Sequence, residues 1–214
     1  MRNSDSVYTA NMQAEDLPSV VNIYMKCFPN TVNVALGSKF VRTFCKQALE
    51  EDFSLAVVLK ESVSGRVIAV AVGTLKPGYT LRVIRKHFFL VCFRVLYGFI
   101  RFAIVRRKVF KYLFSFIRRP FKRKTAPFVD DSGVPLPGLT HLNHQFVAVR
   151  PECHGRGYGT IILSYLVNCM FEKGAERIVG SVSLGNTPSL RLHKKLGWRI
   201  KQTSSDRVTV WITK

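Results

Sequence analysis

Val147-Ala148-Val149-Arg150-Pro151-Glu152-Cys153-His154-Gly155-Arg156-Gly157-Tyr158-Gly159-Thr160 decides the fold of this chain. An apolar run ends at a proline, three alternate glycines follow, and Tyr158–Lys173 then reads as a helix stopped by Gly174. Glycines let backbone N–H groups approach an anion closely, and a helix start adds favourable partial charge. The stretch therefore reads as strand, anion cradle and helix, suited to a pyrophosphate. No Lys-Ser or Lys-Thr pair closes the loop, so it is not a P-loop. No acidic residue stands at the tip of the next strand, so the dinucleotide fingerprint also fails.

Working outward, residues 140–149 form the strand that feeds the loop, and Arg177–Leu184 the next strand. Ser189–Leu196 reads as a short helix stopped by Gly197, and Trp198–Thr203 and Val208–Thr213 as final strands. Upstream, residues 6–12 alternate weakly as a first strand. Ala14-Glu15-Asp16-Leu17-Pro18 opens a helix, since acids and a proline suit a first turn. Phe40, Val41, Phe44 and Leu49 place a second helix over 38–50. Strands over 53–60 and 66–75 flank a Ser64-Gly65 turn. The order β-α-α-β-β, an insertion, then β-α-β-α-β-β predicts an α/β chain with one mixed sheet and helices on both faces.

Asn186-Thr187-Pro188-Ser189-Leu190-Arg191-Leu192-His193-Lys194-Lys195-Leu196-Gly197-Trp198 supplies a second motif. Together with the glycine loop, at this spacing, it resembles the GNAT acyltransferase superfamily. The resemblance centres on 140–200 and extends to the opening strands and helices. It implies a GNAT acyltransferase fold, a central mixed sheet flanked by helices, as a single domain over 1–214 with a basic, apolar helical insertion at 79–128. It implies acetyl-CoA as cosubstrate and transfer of its acetyl group to an amine. Val147, Ala148 and Val149 would then lie along the pantetheine arm. His154, Gly155, Arg156, Gly157, Tyr158, Gly159 and Thr160 would wrap the pyrophosphate, and Asn186 would bond the cofactor near that arm. His154 stands where the family has Arg or Gln. His193 stands where it has a Tyr that protonates the leaving thiolate, a role within reach of an imidazole of ordinary pKa ~6.5. The alternative for His193 is a polar residue on a surface helix.

No carboxylate occupies either position at which relatives place a basic Glu; those positions are Asn143 and Ser181. With Gln145 they could hold a water that relays a proton. His141 shares strand parity with Asn143 and Gln145, whereas His144 points the other way. His141 is thus a candidate base, with a structural strand-end histidine as the alternative.

The 214 residues carry 33 Lys and Arg against 13 Asp and Glu, a net charge of +20. No acid lies between Glu61 and Asp130, and fourteen of the positive charges fall within Tyr79–Thr125 together with nearly half of the aromatic residues. That segment has three readings: an amphipathic anchor on an anionic membrane face, a helical lid, or a nucleic-acid surface. The apolar content argues against the third. Its longest uncharged run is too short to cross a bilayer. The five cysteines are odd in number and lack metal-ligand spacing, which points to free thiols and no metal. The N-terminus has no apolar signal core, so a cytoplasmic protein is expected, with the insertion directed to the inner face of the membrane.

The insertion also resembles segments of acetyltransferases linked to surface polysaccharide synthesis, as does Leu36-Gly37 followed by Phe40. This implies an amino sugar or membrane-linked glycan precursor as acceptor. The alternatives are a protein N-terminus or lysine, and a non-catalytic, membrane-associated CoA-binding adaptor.

Overall fold

A computed structural model of the chain describes residues 6–74, 79–87, 89, 92, 93, 96 and 141–214. Strand β1 (Val7–Asn11) leads through a 3-10 turn into helix α1 (Leu17–Cys27). A short helix α2 (Val32–Ala35) and helix α3 (Ser38–Glu50) follow. Strands β2 (Ser54–Glu61) and β3 (Val67–Thr74) precede helix α4 (Tyr79–Lys86). Then come β4 (His141–Val149), α5 (Tyr158–Glu172), β5 (Arg177–Ser183), α6 (Thr187–Lys195), β6 (Arg199–Gln202) and β7 (Arg207–Thr213).

The sequence places nearly all of these elements to within two residues. Helix α2 was not among them. It forms because Thr31 caps it, its hydroxyl accepting from the Val34 amide at 3.5 Å, just after the Pro29-Asn30 break. Helix α6 begins earlier than expected, because Asn186 is the cap and Pro188 occupies the first turn. Most of 79–128 lies outside the described residues.

The seven strands run β1-β2-β3-β4-β5-β7-β6. Every neighbouring pair is antiparallel except β4 and β5. Strand β3 is buried along its whole length, as its unbroken Val67-Ile68-Ala69-Val70-Ala71-Val72 run requires. Ile162, Leu163, Leu166 and Met170 of α5 cover one face of the sheet. Val20 and Ile23 of α1 and Val41 and Phe44 of α3 cover the other.

The start of the insertion is fastened to this second layer. Tyr79 and Val83 are fully buried, and the Tyr79 hydroxyl donates to the Phe44 carbonyl. Arg82 forks onto both carboxylate oxygens of Glu51 at 2.8 Å, and Lys86 reaches Glu50 at 2.7 Å. Guanidinium and ammonium partners hold both carboxyls below their ordinary range. Tyr79→Phe should destabilise the chain by about 1–2 kcal/mol, because it leaves the Phe44 carbonyl buried without its donor. Thermal unfolding measures this, and an unchanged midpoint would show that the anchor contributes nothing.

Candidate active site

Two irregularities in β4 build the site. The first is its register against β3, where Val72 faces Phe146 but Gly73 faces His144, so Gln145 is an extra residue bulged out of the ladder. The second is its pairing with β5, which comprises His141–Arg177, Leu142–Ile178 and Asn143–Val179 and then stops. Beyond Asn143 the two strands diverge and leave a fork, with β4 continuing to Val149 and β5 to Ser183.

The free edge of β4 faces this fork. The Arg150 amide donates to the Ile68 carbonyl, so Arg150 and, by alternation, Ala148 face β3. Val147 and Val149 therefore turn their backbone groups to the opposite edge. The Val149 carbonyl already accepts from Cys27 Sγ at 3.1 Å and from His154 Nε2 at 2.8 Å. The Val149 amide and both groups of Val147 remain on the open edge, ready to pair with an extended chain as another strand would. Ala148 is buried and supports the edge from below.

At the upper end of that edge lies the glycine loop. A 3-10 turn over Pro151–Cys153 brings the Cys153 amide back to the Arg150 carbonyl and the His154 amide to that of Pro151. Gly155 and Gly157 then take φ of +79° and +82°, the left-handed region that disfavours side chains. Gly157 caps α5, and its carbonyl accepts from the Thr160 and Ile161 amides. The Tyr158 and Gly159 amides open the helix, where no preceding turn supplies an acceptor. Arg156 is exposed beside them. Oriented amides, a fifteen-residue helix start and an exposed guanidinium form a cradle that fits a diphosphate. His154 differs from the expectation in that its Nε2–H is turned inward onto Val149 and fastens the loop to the strand.

At the lower end, α6 delivers His193 to the fork. Asn186 is an exposed N-cap whose Oδ1 accepts from the Ser189 amide at 3.2 Å. Its cap sets the helix so that His193 turns inward, 1% exposed. A surface histidine is thereby excluded. His193 Nδ1 donates to the Ser189 carbonyl at 2.7 Å, which leaves Nε2 as a bare lone pair, buried and without a hydrogen-bond partner. Its ring meets Trp198 edge-on, with centroids 4.8 Å apart, and lies 5.5 Å from the ring of His144. Burial pushes both imidazoles toward the neutral form; His144 is pushed down to about 3, with His193 adding to the effect.

Asn143 sits at the last paired position of the fork, half-buried. Ser181 is exposed two positions further along β5, and its hydroxyl accepts from Arg207 Nε at 2.9 Å. The parity that grouped His141, Asn143 and Gln145 breaks at the bulge, so Gln145 is not placed by alternation from Asn143. The backbone of His141 pairs with Arg177, at the closed side of the fork; its side chain lies outside the described residues. Three contributors escaped the sequence reading. His144 faces the fork next to His193, Trp198 packs on both rings, and Gly180 leaves room for the His144 ring. A Cβ at Gly180 would stand 3.1 Å from His144 Nδ1 and from Val210 Cγ2. A glycine inside the strand run Ile178-Val179-Gly180 was the available signal.

Residues 130–198 match the model of the acetyltransferase (GNAT) family. A search of curated protein sequences finds no match. Solved structures similar to the chain include an N-acetyltransferase from Staphylococcus aureus Mu50, at 13% identity and a TM-score of 0.58, covering 97% of this chain and 98% of that one. Another is yncA from Salmonella typhimurium, solved with its cofactor acetyl-CoA, at 15% identity and a TM-score of 0.54, covering 97% and 93%. The ribosomal-protein-S18-alanine N-acetyltransferase from Escherichia coli is similar at 13% identity and a TM-score of 0.53, covering 97% and 94%. At these identities the structures establish the fold, and the motif match falls on the cradle, the fork and α6. The cradle, the fork and α6 thus fall within the stretch that matches the acetyltransferase (GNAT) family, and the chain as a whole shares its fold with solved acetyltransferase structures.

Proposed function

We propose that the protein moves the acetyl group of acetyl-CoA onto a primary amine at the β4–β5 fork. The observation that carries this reading is the continuous track from the cradle at 155–160, along the open edge of Val149 and Val147, to His193. Five residue steps separate Val149 from His144, about 17 Å of strand. An extended arm held at its phosphate end by the cradle would place its thioester beside the buried imidazole. The chain's part in the reaction is to grip the diphosphate, hold the arm as an added strand, and keep the thioester away from bulk water. The amine would enter at the mouth of the fork, where Asn143 and Ser181 offer polar groups. Positioning of this kind supplies much of the rate without a dedicated carboxylate base.

The mouth is cationic. Arg207 lies across Ser181, and Lys194 and Lys195 are exposed on α6. This field favours an amine carried on an anionic molecule, such as the amino sugar of a lipid- or nucleotide-linked glycan precursor. A second observation concerns delivery. Phe89, Phe93 and Leu96 are 87%, 69% and 63% exposed and recur at helical spacing in the acid-free segment. Apolar side chains set among many cations support the insertion lying on an anionic membrane leaflet. No helix among the described residues is long and apolar enough to cross a membrane.

Acetyl-CoA should bind in calorimetry, and an amine acceptor should stimulate release of the CoA thiol. His193→Phe should cut kcat about 100-fold, the usual scale for one proton-transfer group, with little change in acetyl-CoA affinity. Binding without release by amino-sugar or peptide amines would instead favour the adaptor. In sedimentation with phosphatidylserine-containing liposomes, the chain should pellet at low salt and be released as salt rises. Equal behaviour with and without liposomes would remove the membrane role and leave a lid.

The neutral imidazoles also set a pH signature. In the folded chain His144 resists protonation until about pH 3, whereas the unfolded chain takes up that proton near pH ~6.5. The unfolded state then binds more protons across this window, so stability falls as pH drops. The Glu50 carboxyl, with its pKa lowered to about 2, adds its own loss only below pH ~4.5. Denaturant unfolding should therefore show stability declining between pH ~6.5 and ~4.5. His144→Phe should flatten that slope; an equal slope in the variant would remove His144 as its source.

A further inference from the structure

We propose that the exposed face of β5, β7 and β6 beside the fork is a phosphate subsite, built on Arg207 and Lys201, that selects a phosphorylated amine as the acetyl acceptor. This rests on the acetyl-transfer reading above and narrows its acceptor from any anionic amine to one that carries a phosphate at a set distance. The positive charge outside the insertion is concentrated in this part of the chain. Residues 186–214 hold seven Lys and Arg against one acid, Asp206, and with the fourteen cations of Tyr79–Thr125 they account for the whole net charge of +20. Asp206 lies in the turn between β6 and β7 and accepts from the Ser204 hydroxyl at 2.9 Å. None of the strands β5, β6 and β7 contains an acid.

The ladders that β7 makes with β5 and with β6 run without a shift, so paired residues share a face. Val182, Val208 and Val210 point into the core that α5 covers. Alternation turns Ser181, Ser183, Arg207, Thr209, Arg199 and Lys201 to the opposite face. Asn143, paired with Val179 at the end of the fork, shares that face. Ser181, Thr209 and Lys201 form one row across the three strands, and Arg207 stands diagonally from Lys201 in the next row, opposite Ser183. The Arg207 guanidinium is held against β5, with Nε donating to the Ser181 hydroxyl at 2.9 Å and Nη2 to the Ser181 carbonyl at 3.3 Å. Arg207, Lys201, Ser181 and Ser183 are exposed, whereas Trp211, in the row before Thr209, is 4% exposed. The face is therefore closed at its Trp211 end and open at its Arg207 end.

Diagonal neighbours on adjacent strands lie about 7–8 Å apart, within reach of two long side chains. With no carboxylate between them, Arg207 and Lys201 repel each other, and an anion seated between them turns that repulsion into attraction. One guanidinium can satisfy a carboxylate by itself. A phosphate dianion has three terminal oxygens, which suit a guanidinium, an ammonium and the Ser183 hydroxyl together. Ser181 lies two residues beyond Val179, about 7 Å along the strand, so the anion sits about one sugar ring away from an amine at the fork. The cradle at 155–160 follows β4, on the other arm of the fork, and is taken by the diphosphate of the donor. Arg207 and Lys201 thus form a second anion site, kept for the acceptor.

The test uses the full chain, saturating acetyl-CoA and three acceptors: glucosamine, glucosamine 6-phosphate and UDP-glucosamine. Thiol release should show kcat/KM about 100-fold higher for a phosphorylated form than for glucosamine, carried by KM. Preference for the monoester assigns a free phosphorylated amine, and preference for the diphosphate a nucleotide-linked one; equal use of all three overturns the subsite. Arg207→Gln should cut the preference about 10-fold, the scale of a hydrogen bond to a charged group, whereas Arg207→Lys should retain part of it. The preference is a ratio, so changes common to all acceptors cancel. A preference untouched by both Arg207→Gln and Lys201→Gln would overturn the assignment. Inorganic phosphate, titrated by calorimetry into chain saturated with CoA, should lose one site in the variant carrying both substitutions. Identical phosphate binding in the two proteins would overturn the subsite and leave acetyl transfer standing. Thiol release with peptide amines but with none of the three sugars would do the same. Absence of release with every amine would remove the wider reading, and the acceptor role with it, whatever the phosphate titration shows.

Discussion

The end of pairing between β4 and β5 after Asn143 and Val179 is the constraint on which the rest of the molecule depends. A sheet interior ordinarily satisfies every backbone group, and an open edge inside it is costly unless something pairs with it. Here that edge is produced by two local causes. The bulge at Gln145 rotates β4 relative to its neighbours, and the parallel register with β5 is too short to bring it back. The sheet tolerates the opening because it is strongest on either side. Strand β3 is buried throughout, and β5 is zipped to β7 over its full length. The weak point is therefore confined to one place, between two stiff halves.

Most of the fold was legible from chain punctuation. Gly65, Gly155, Gly157, Gly174 and Gly197 all take positive φ, and each stands where an element was expected to turn or end. Apolar runs such as Val67–Val72 fix a buried strand without any partner being known. The cradle was legible for the same reason, since it is a local device made by adjacent residues. Helix α2 was not, because four residues show no period.

The histidines were harder to read, and the reason is geometric. Strand alternation assigns His144 and His141 to opposite faces, a rule that holds only while the ladder is regular. It says nothing of a bulge, because an extra residue carries no composition signal of its own. Alternation also cannot show that the face shared by His144 is where α6 arrives. That depends on Asn186 capping the helix and on Gly180 making room across the sheet. His193 was found by its place in a motif, but its tautomer follows from the Ser189 carbonyl and only coordinates reveal that. The contact between His144 and His193 spans two elements far apart in sequence.

On the proposed reading, Arg207 across Ser181 sets opposite demands at this one site. Positive potential draws in the phosphates of the donor and raises its encounter rate. The same potential repels an ammonium ion, the ordinary form of a primary amine at neutral pH. The two effects are reconciled if the amine reacts in its neutral form. A cationic mouth at Arg207 disfavours the ammonium and so lowers the amine's pKa, which favours the nucleophile before it reaches the thioester. The inner end of the fork is then best left uncharged, since a carboxylate there would stabilise the ammonium again. Neutral His144 and His193, which burial holds toward the uncharged form, satisfy that condition. On this reading, uncharged side chains at Asn143 and Ser181 suit an amine that reacts in its neutral form beside Arg207.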